Sequence, residues 1–508
     1  MPRILIFFSY RKVLLIISFI SLLFIKCDDN SIQKVSAPNN FVTINNNSFF
    51  LNNKSYYPLT LNYIAELRYD NNKFWISSSI DYSNKKSRIY TEKDSSILEF
   101  KSHMQLIKDM GMNSIRLVRI GEVNIDSKTN QVFINARTKS KKDTTLVLSK
   151  SSENYSLYLN ALEESFKIID SVGLKIVFLM NLYPDYKESV SHFIKVAGKF
   201  KYNSTIMAYD FKNEPLYFDK EKRTKKEVFK CVNNWQRKFR KFAPFHLSTI
   251  GLQGIREVFE WDPNILNVDF ISYHPYEHER EQVRNEIYWY SKHTNKPWVI
   301  GETGWYSSIL NESDSLSSQK MFINKTLQQA FDCNAIGYSW WQFKDVSWND
   351  LKNHSDLMGL VTKSGIVNSS TSDFPIVGTV KESVEVFKNF NPIKEKSNCK
   401  CLTNYYNYSN SDKFSLTGKL LDDNGFPIEG GVILAWNKYW TNSYHTITKK
   451  DGSFQLLGSF PFYHWMASAT RYNMIRADIN PLKSKVNVEN IPSIKLGNLI
   501  IEPLSFLD

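Results

Sequence analysis

Eight short apolar runs recur through the first 341 residues and constrain the fold more than any other feature of the chain. They read "YYPLTLNY" (56–63), "SIRLVRI" (114–120), "LKIVFLMNL" (174–182), "IMAYDF" (206–211), "FHLSTIGL" (245–252), "VDFISYH" (268–274), "PWVIGE" (297–302) and "AIGYSWW" (335–341). Longer stretches at 99–111, 158–173, 225–242, 279–293 and 317–333 separate most of them, with apolar residues returning every three or four positions. Strands apolar along their whole length are covered on both faces, and their alternation with amphipathic helices is the pattern of a parallel sheet. Eight such units predict a closed (β/α)8 TIM barrel with its chemistry at the C-terminal ends of the strands.

The barrel domain is assigned to 41–392, after a polar Asn- and Ser-rich tether over 28–40. Residues 393–412 are polar and aperiodic, which reads as a linker. Beyond them, 413–508 alternate short apolar runs with the turn signals "DDNGFP" and "KKDGSF". That pattern predicts a small antiparallel β-sandwich.

At the other end, Arg3, Arg11 and Lys12 precede an apolar run over 13–25 that stops at Cys27. The run is shorter than the ~20 residues of a spanning helix, so 1–27 reads as a secretory signal. It resembles a bacterial lipoprotein signal, although Lys26 stands where a small residue is usual. The resemblance implies that Cys27 is the lipidated first residue of the mature chain, anchored at an outer membrane or cell surface. Plain secretion is the alternative.

A net charge of +13 raises the question of nucleic acid. The bases are scattered, and in the densest run, "DKEKRTKKEVFK", acids interrupt them as on a solvated helix face, so no nucleic-acid partner is expected. Cys231 and Cys333 fall in helix-like periods and read as buried hydrophobes. Cys399 and Cys401 flank one lysine, and no His or Cys stands at zinc spacing, so neither a metal nor a cofactor is expected. The chain is expected to act as a monomer.

Within this frame two acids stand out. Glu214 follows the fourth run in "IMAYDFKNEPLYFD", and Glu302 ends the seventh in "VIGETGW". Two carboxyls on one barrel mouth suit a general acid paired with a nucleophile. Over 41–392 the chain resembles clan A of the glycoside hydrolases, family 5 (cellulase- and mannanase-type) in particular. The resemblance implies that Glu214, in Asn213-Glu214-Pro215, is the acid and Glu302 the nucleophile. It also implies that Arg116 keeps Glu302 ionised, that His274 and Tyr276 support the pair, that Asn213 binds the sugar 2-hydroxyl, and that Trp341 floors the site. Where that family often ends its third strand in histidine, this chain has Met180 and Asn181. Trp340 and Trp341 alternate across a strand, so one faces the sugar and the other the helices.

The activity so implied is a retaining, endo-acting hydrolase of β-linked polysaccharide, mannan first and β-glucan second. The alternative is a non-catalytic carbohydrate-binding surface lipoprotein, against which the presence of both acids speaks. An insertion from Tyr69 to Asp94, with Trp75, Tyr82 and Tyr90, is expected to shape one side of the groove and so decide between endo and exo action. Trp305, Tyr306, Trp348 and Tyr183 suit sugar stacking and core packing equally. The C-terminal region resembles the carboxypeptidase-regulatory-like sandwich, in which Trp436, Tyr439, Trp440 and Trp465 offer packing first and a carbohydrate platform second.

Overall fold

Asn–Asn pairs shape the segment 43–56. Asn46 and Asn47 (φ 46° and 54°) and Asn52 and Asn53 (φ 52° and 61°) all take the left-handed conformation, which Asn tolerates better than most residues. Each pair makes a two-residue hairpin turn. Thr43–Asn45, Ser48–Leu51 and Lys54–Tyr56 thereby fold into one antiparallel sheet. From this segment Val42 and Phe49 pack against Val177, Met207, Leu247, Phe270, Val299 and Ile336, which sit at the N-terminal side of the barrel strands. The hairpins thus close the base of the barrel.

The structure, a computed structural model, describes residues 37–83, 92–137, 143–148, 152–219, 221–277, 280–307, 312–349, 354–367, 375–402, 411–479 and 492–507. The signal segment, Cys27 and Tyr90 lie outside these residues. Among the described residues, no helix is long and apolar enough to cross a membrane.

The barrel is closed, parallel and eight-stranded. Its strands, one to eight, are Leu59–Asp70, Ser114–Val118, Lys175–Leu179, Ile206–Asn213, Leu247–Leu252, Ile271–Tyr273, Trp298–Ile300 and Tyr338–Trp340. Each lies in or begins within one of the eight apolar runs, and strand eight closes on strand one with Tyr338 beside Leu59. The five expected helices are present as Lys93–Asp109, Ser152–Ser171, Lys225–Phe242, Arg280–His293 and Glu312–Asp332. A sixth, Lys187–Lys199, follows strand three and buries Val190, Phe193 and Val196.

Strand one is twelve residues long, and only its first half belongs to the barrel. The rest, Ala65–Asp70, rises above the mouth and pairs with Lys73–Ser78 across another Asn–Asn turn, Asn71 and Asn72. Its tip also pairs with Val132–Arg137 from the segment after strand two, which in turn pairs with Asn124–Ile125 and Asp143–Val147. Two insertions, only one of them expected, therefore build a single wall on one side of the mouth.

The C-terminal region forms two sheets around its own core, in the orders Ser453–Gly458, Phe414–Asp422, Ser493–Ile501 and Ser443–Ile447, Val432–Trp436, His464–Ser468, Ile475–Asp478. All pairings are antiparallel except that of Phe414–Asp422 with Ser493–Ile501. Trp465 is buried in this core, which removes it from any surface platform. The sandwich is pressed onto the barrel, since Val432, Leu434 and Ile447 belong to the barrel's apolar cluster. At this seam Lys225 Nζ donates to Asp262 Oδ2 (2.9 Å), Ser468 Oγ (3.0 Å) and the Ala469 carbonyl (2.9 Å).

One cysteine reading is corrected. Cys333 is not a free buried hydrophobe but forms a disulfide with Cys399, pinning the linker to the helix before strand eight. Cys231 and Cys401 remain free thiols.

Candidate active site

The site is built on backbone turns at the strand ends. Strand four ends at Asn213, and Glu214 then takes φ 37°, ψ 67°, a left-handed conformation that costs a non-glycine residue ~1–3 kcal/mol. The Glu214 amide donates to the Gly251 carbonyl (2.8 Å), and Pro215 starts a one-turn helix, Pro215–Phe218, with its preset φ. Arg119 and Asn181, just past strands two and three, are left-handed as well.

His274 lies between the two acids. Its Nδ1 is 2.9 Å from Glu214 Oε1 and 3.6 Å from Glu302 Oε1, and its Nε2 is 3.3 Å from Ser272 Oγ. Space for this ring comes from two glycines. A Cβ on Gly251 would stand 2.6 Å from the imidazole, and one on Gly301 would stand 2.8 Å from it and 1.7 Å from Ser272 Oγ. Burial lowers the pKa of His274 to about 4, so the ring is neutral near pH 7.

Arg116 is the hub. It is buried, with Nε and Nη2 on Asp210 Oδ2 (2.9 and 2.8 Å), Nη1 on Asn62 Oδ1 (3.0 Å) and on Glu302 Oε1, and Nη2 on Asn213 Oδ1 (2.7 Å). The Tyr276 hydroxyl donates to the other oxygen of Glu302 (3.1 Å). Asn213 has thus given its carbonyl to Arg116, and its amide N–H groups are what it can offer a hydroxyl.

Here one guanidinium faces three buried carboxyls, so the charge is not balanced. Burial pushes Glu214 up to about 7, with Arg116 opposing. Burial also raises Glu302, with the neighbouring Glu214 adding to it, while Arg116 and the Tyr276 hydroxyl pull it back. Protonating Glu302 would sacrifice a charge-assisted bond to Arg116, whereas Glu214 has no bonded cation to lose. Of the two, Glu302 is therefore the one better placed to hold the negative charge and Glu214 the one better placed to hold the proton. One oxygen of each carboxyl lies within 4.8 Å of the other.

Glu214, His274 and Glu302 are also the donor set that a divalent ion would meet here, yet Arg116 already holds Glu302 Oε1. A second such set, Glu277, Glu286 and His445, lies at the seam. There Arg256 donates to Glu277 (2.7 Å) and Tyr290 to Glu286 (2.8 Å).

The structure thus brings together Arg116, Asn213, Glu214, His274, Tyr276 and Glu302. Trp341 is half-buried at the end of strand eight, with its amide on the Thr303 carbonyl (2.9 Å) next to Glu302. Trp340 is buried and donates to the Met358 carbonyl (2.8 Å), which makes it the packed member of the pair. Asn62 and Asp210 were not anticipated. Their signal was faint but present, an amide and an acid set within the otherwise largely apolar strands "LTLNY" and "MAYDF".

The remaining aromatics divide. Trp305 stacks on Phe322 and Tyr306, and Tyr306 stacks on His354 (3.7 Å). Trp348 stays 45% exposed, its ring 6.4 Å from that of Trp341. With Tyr183 it lines a cavity of about 430 Å³ at the ends of strands one to three. A larger cavity, about 650 Å³, lies between the Glu312–Asp332 helix and the segment 382–394, and neither Glu214 nor Glu302 lines either cavity.

No family model matches the chain, and no curated protein matches it. Among solved structures it is similar to a β-D-glucuronidase of Dictyoglomus thermophilum (14% identity, TM-score 0.44, covering 70% of this chain and 55% of that one). It is also similar to an exo-β-1,4-mannosidase of Opitutaceae bacterium strain TAV5 (15%, 0.45, 68% and 61%) and to a Bacteroides uniformis β-glucuronidase (12%, 0.44, 91% and 48%). The chain spans about half to three-fifths of their lengths. At these identities and scores the likeness carries no statement about chemistry.

Proposed function

We propose that the protein is a retaining β-glycoside hydrolase. The observation that carries this is the pair of carboxyls with opposite environments, Glu302 held by Arg116 and Tyr276, Glu214 buried without a bonded cation. In the first step a Glu302 oxygen bonds to the anomeric carbon, the glycosidic C–O bond breaks, and Glu214 gives its proton to the leaving oxygen. In the second, water attacks the anomeric carbon as Glu214 takes back a proton, and the bond to Glu302 breaks. Retention is favoured by the short gap, because an inverting pair stands ~6.5–9.5 Å apart to hold a water and a retaining pair about 5–5.5 Å. Asn213 donates to the 2-hydroxyl, and Trp341 lies beneath the sugar.

Mannan and β-glucan are the polymers to try, in that order. The site is read as extracytoplasmic, at the cell surface through a lipid on Cys27 or secreted, with the Cys333–Cys399 disulfide in keeping with an oxidising compartment.

The test is sugar release from β-mannan, cellulose, mixed-linkage glucan and xylan by the mature chain beside Glu302→Gln and Glu214→Gln. The anomer first released is read by NMR. Release that collapses in both variants, with the β-anomer first, is expected. Release unaffected by either change, or the α-anomer first, would defeat the reading.

A further inference from the structure

The two sides of the mouth are unlike. Beyond Glu214 the chain leaves Tyr217 and Phe218 open to solvent, 70% and 47% exposed, on the short helix Pro215–Phe218. Above strands one and two the mouth carries the β-wall, where Ala65–Asp70 continues strand one for six residues. At ~3.3 Å per residue that is a rise of roughly 20 Å. Val132–Arg137 widens it, joined at Leu67–Ala136 and Arg68–Arg137.

The cavity of about 430 Å³ lies against the inner face of this wall. Arg119, three residues past Arg116, reaches across its floor to Asp81 (2.9 Å) and Ser79 (3.1 Å). Glu122 accepts from the Arg119 amide (2.8 Å) and from Asn181 (2.9 Å), and Arg137 is held by Glu66 (2.9 Å). Ion pairs along a cavity floor suit the hydroxyls of one end of a sugar chain, and the exposed face of Trp348 suits a ring, whereas Tyr183 already carries the Lys212 ammonium over its own (4.7 Å).

Direction follows from the chemistry. Glu214 protonates the leaving oxygen, so the departing half of the substrate lies on the Tyr217–Phe218 side. The retained half lies on the walled side. Building on the hydrolase reading, we propose that this wall makes the cleft one-ended, so that the pocket takes the non-reducing terminus of a β-linked chain and hydrolysis proceeds from that end. This departs from the internal cutting expected from the sequence.

The experiment uses β-1,4-mannotetraose and β-1,4-glucotetraose tagged at the reducing end, each with its non-reducing end free or capped by a 4,6-ketal. The expected result is tagged product of a single length at the first time point from the free chain, set by how many units the pocket and the Trp341 site hold together, with the capped chain at least a hundredfold slower. Trp348→Ala is expected to raise KM for the free tetramer about tenfold with kcat nearly held, as loss of a stacking face in binding would do. Mixed-length tagged products at the first time point, or equal cleavage of capped and free chains, would overturn one-ended action and leave the hydrolase reading standing. No cleavage of any tetramer or aryl β-glycoside would overturn both.

Discussion

The barrel mouth and the seam under the sandwich both bury charge, and they treat it in opposite ways. At the seam, Lys225 spends all three N–H donors on protein partners, and its counter-ion Asp262 also accepts from the Arg471 amide (2.6 Å). At the mouth, one cation serves Asp210 and Glu302 and leaves Glu214 with a neutral histidine. A satisfied buried ion holds parts together, whereas one left short of partners holds a proton where chemistry needs it.

The comparison is easiest to break at Glu302. Glu302→Gln should lower kcat on the identified β-glycoside by about 10⁴-fold or more, since the covalent step is lost. Steady-state rates within tenfold of the parent would remove the nucleophile from the account. Glu214→Gln should cost about 10²–10⁴-fold in kcat/KM on natural leaving groups and much less on a nitrophenyl glycoside, which departs without a proton, while kcat falls on both because water attack has lost its base.

Glu214 also gives the comparison a pH axis. Its folded value, about 7, lies above that of an unfolded carboxyl, so activity should fall as pH rises through 7 and this limb should vanish in Glu214→Gln. Because burial raises the value, the charged form opposes folding. Stability contributed by the protonated group is lost as pH climbs to about 7. At pH 8, therefore, Glu214→Gln should melt higher than the parent, a gain visible by calorimetry.

Lys225→Met should do the reverse. With Asp262 left buried beside a lost partner, the fold should weaken by about 3–5 kcal/mol while kcat at 25 °C stays unchanged. Thermal melts alongside rates decide it, and a drop in kcat without a drop in Tm would mean that the seam speaks to the mouth. The smallest effect should come from reducing Cys333–Cys399. Its 66-residue separation sets a chain-entropy ceiling of about 4 kcal/mol. Gln329 on the Lys400 carbonyl and Asn285 at Leu402 also hold the linker, so a loss of about 2 kcal/mol is expected.

What the sequence revealed, and what it hid, follows from range. The eight strands were legible because a strand buried on both faces is apolar at every position, and Glu214 and Glu302 because each breaks such a run at its end. Asn62 and Asp210 were harder, since an amide or acid within a largely apolar strand has no local partner and acquires meaning only when Arg116 reaches it from strand two. The wall strands around 124–147 hid among lysines, serines and threonines because an edge sheet faces water on one side. The partner of Cys333 lay 66 residues away, beyond any local pattern.

The hairpins at the base have a consequence for how the chain reaches its fold. Phe49 emerges early in synthesis, but Phe270, Val299 and Ile336, which cover it, emerge more than two hundred residues later, and Leu59 waits for Tyr338 across about 280. Long-range closure of this kind is slow and leaves sticky intermediates. On the ribosome, then, the nascent chain holds an uncovered apolar hairpin for most of its translation, and a truncation before strand eight should aggregate rather than yield a smaller working barrel.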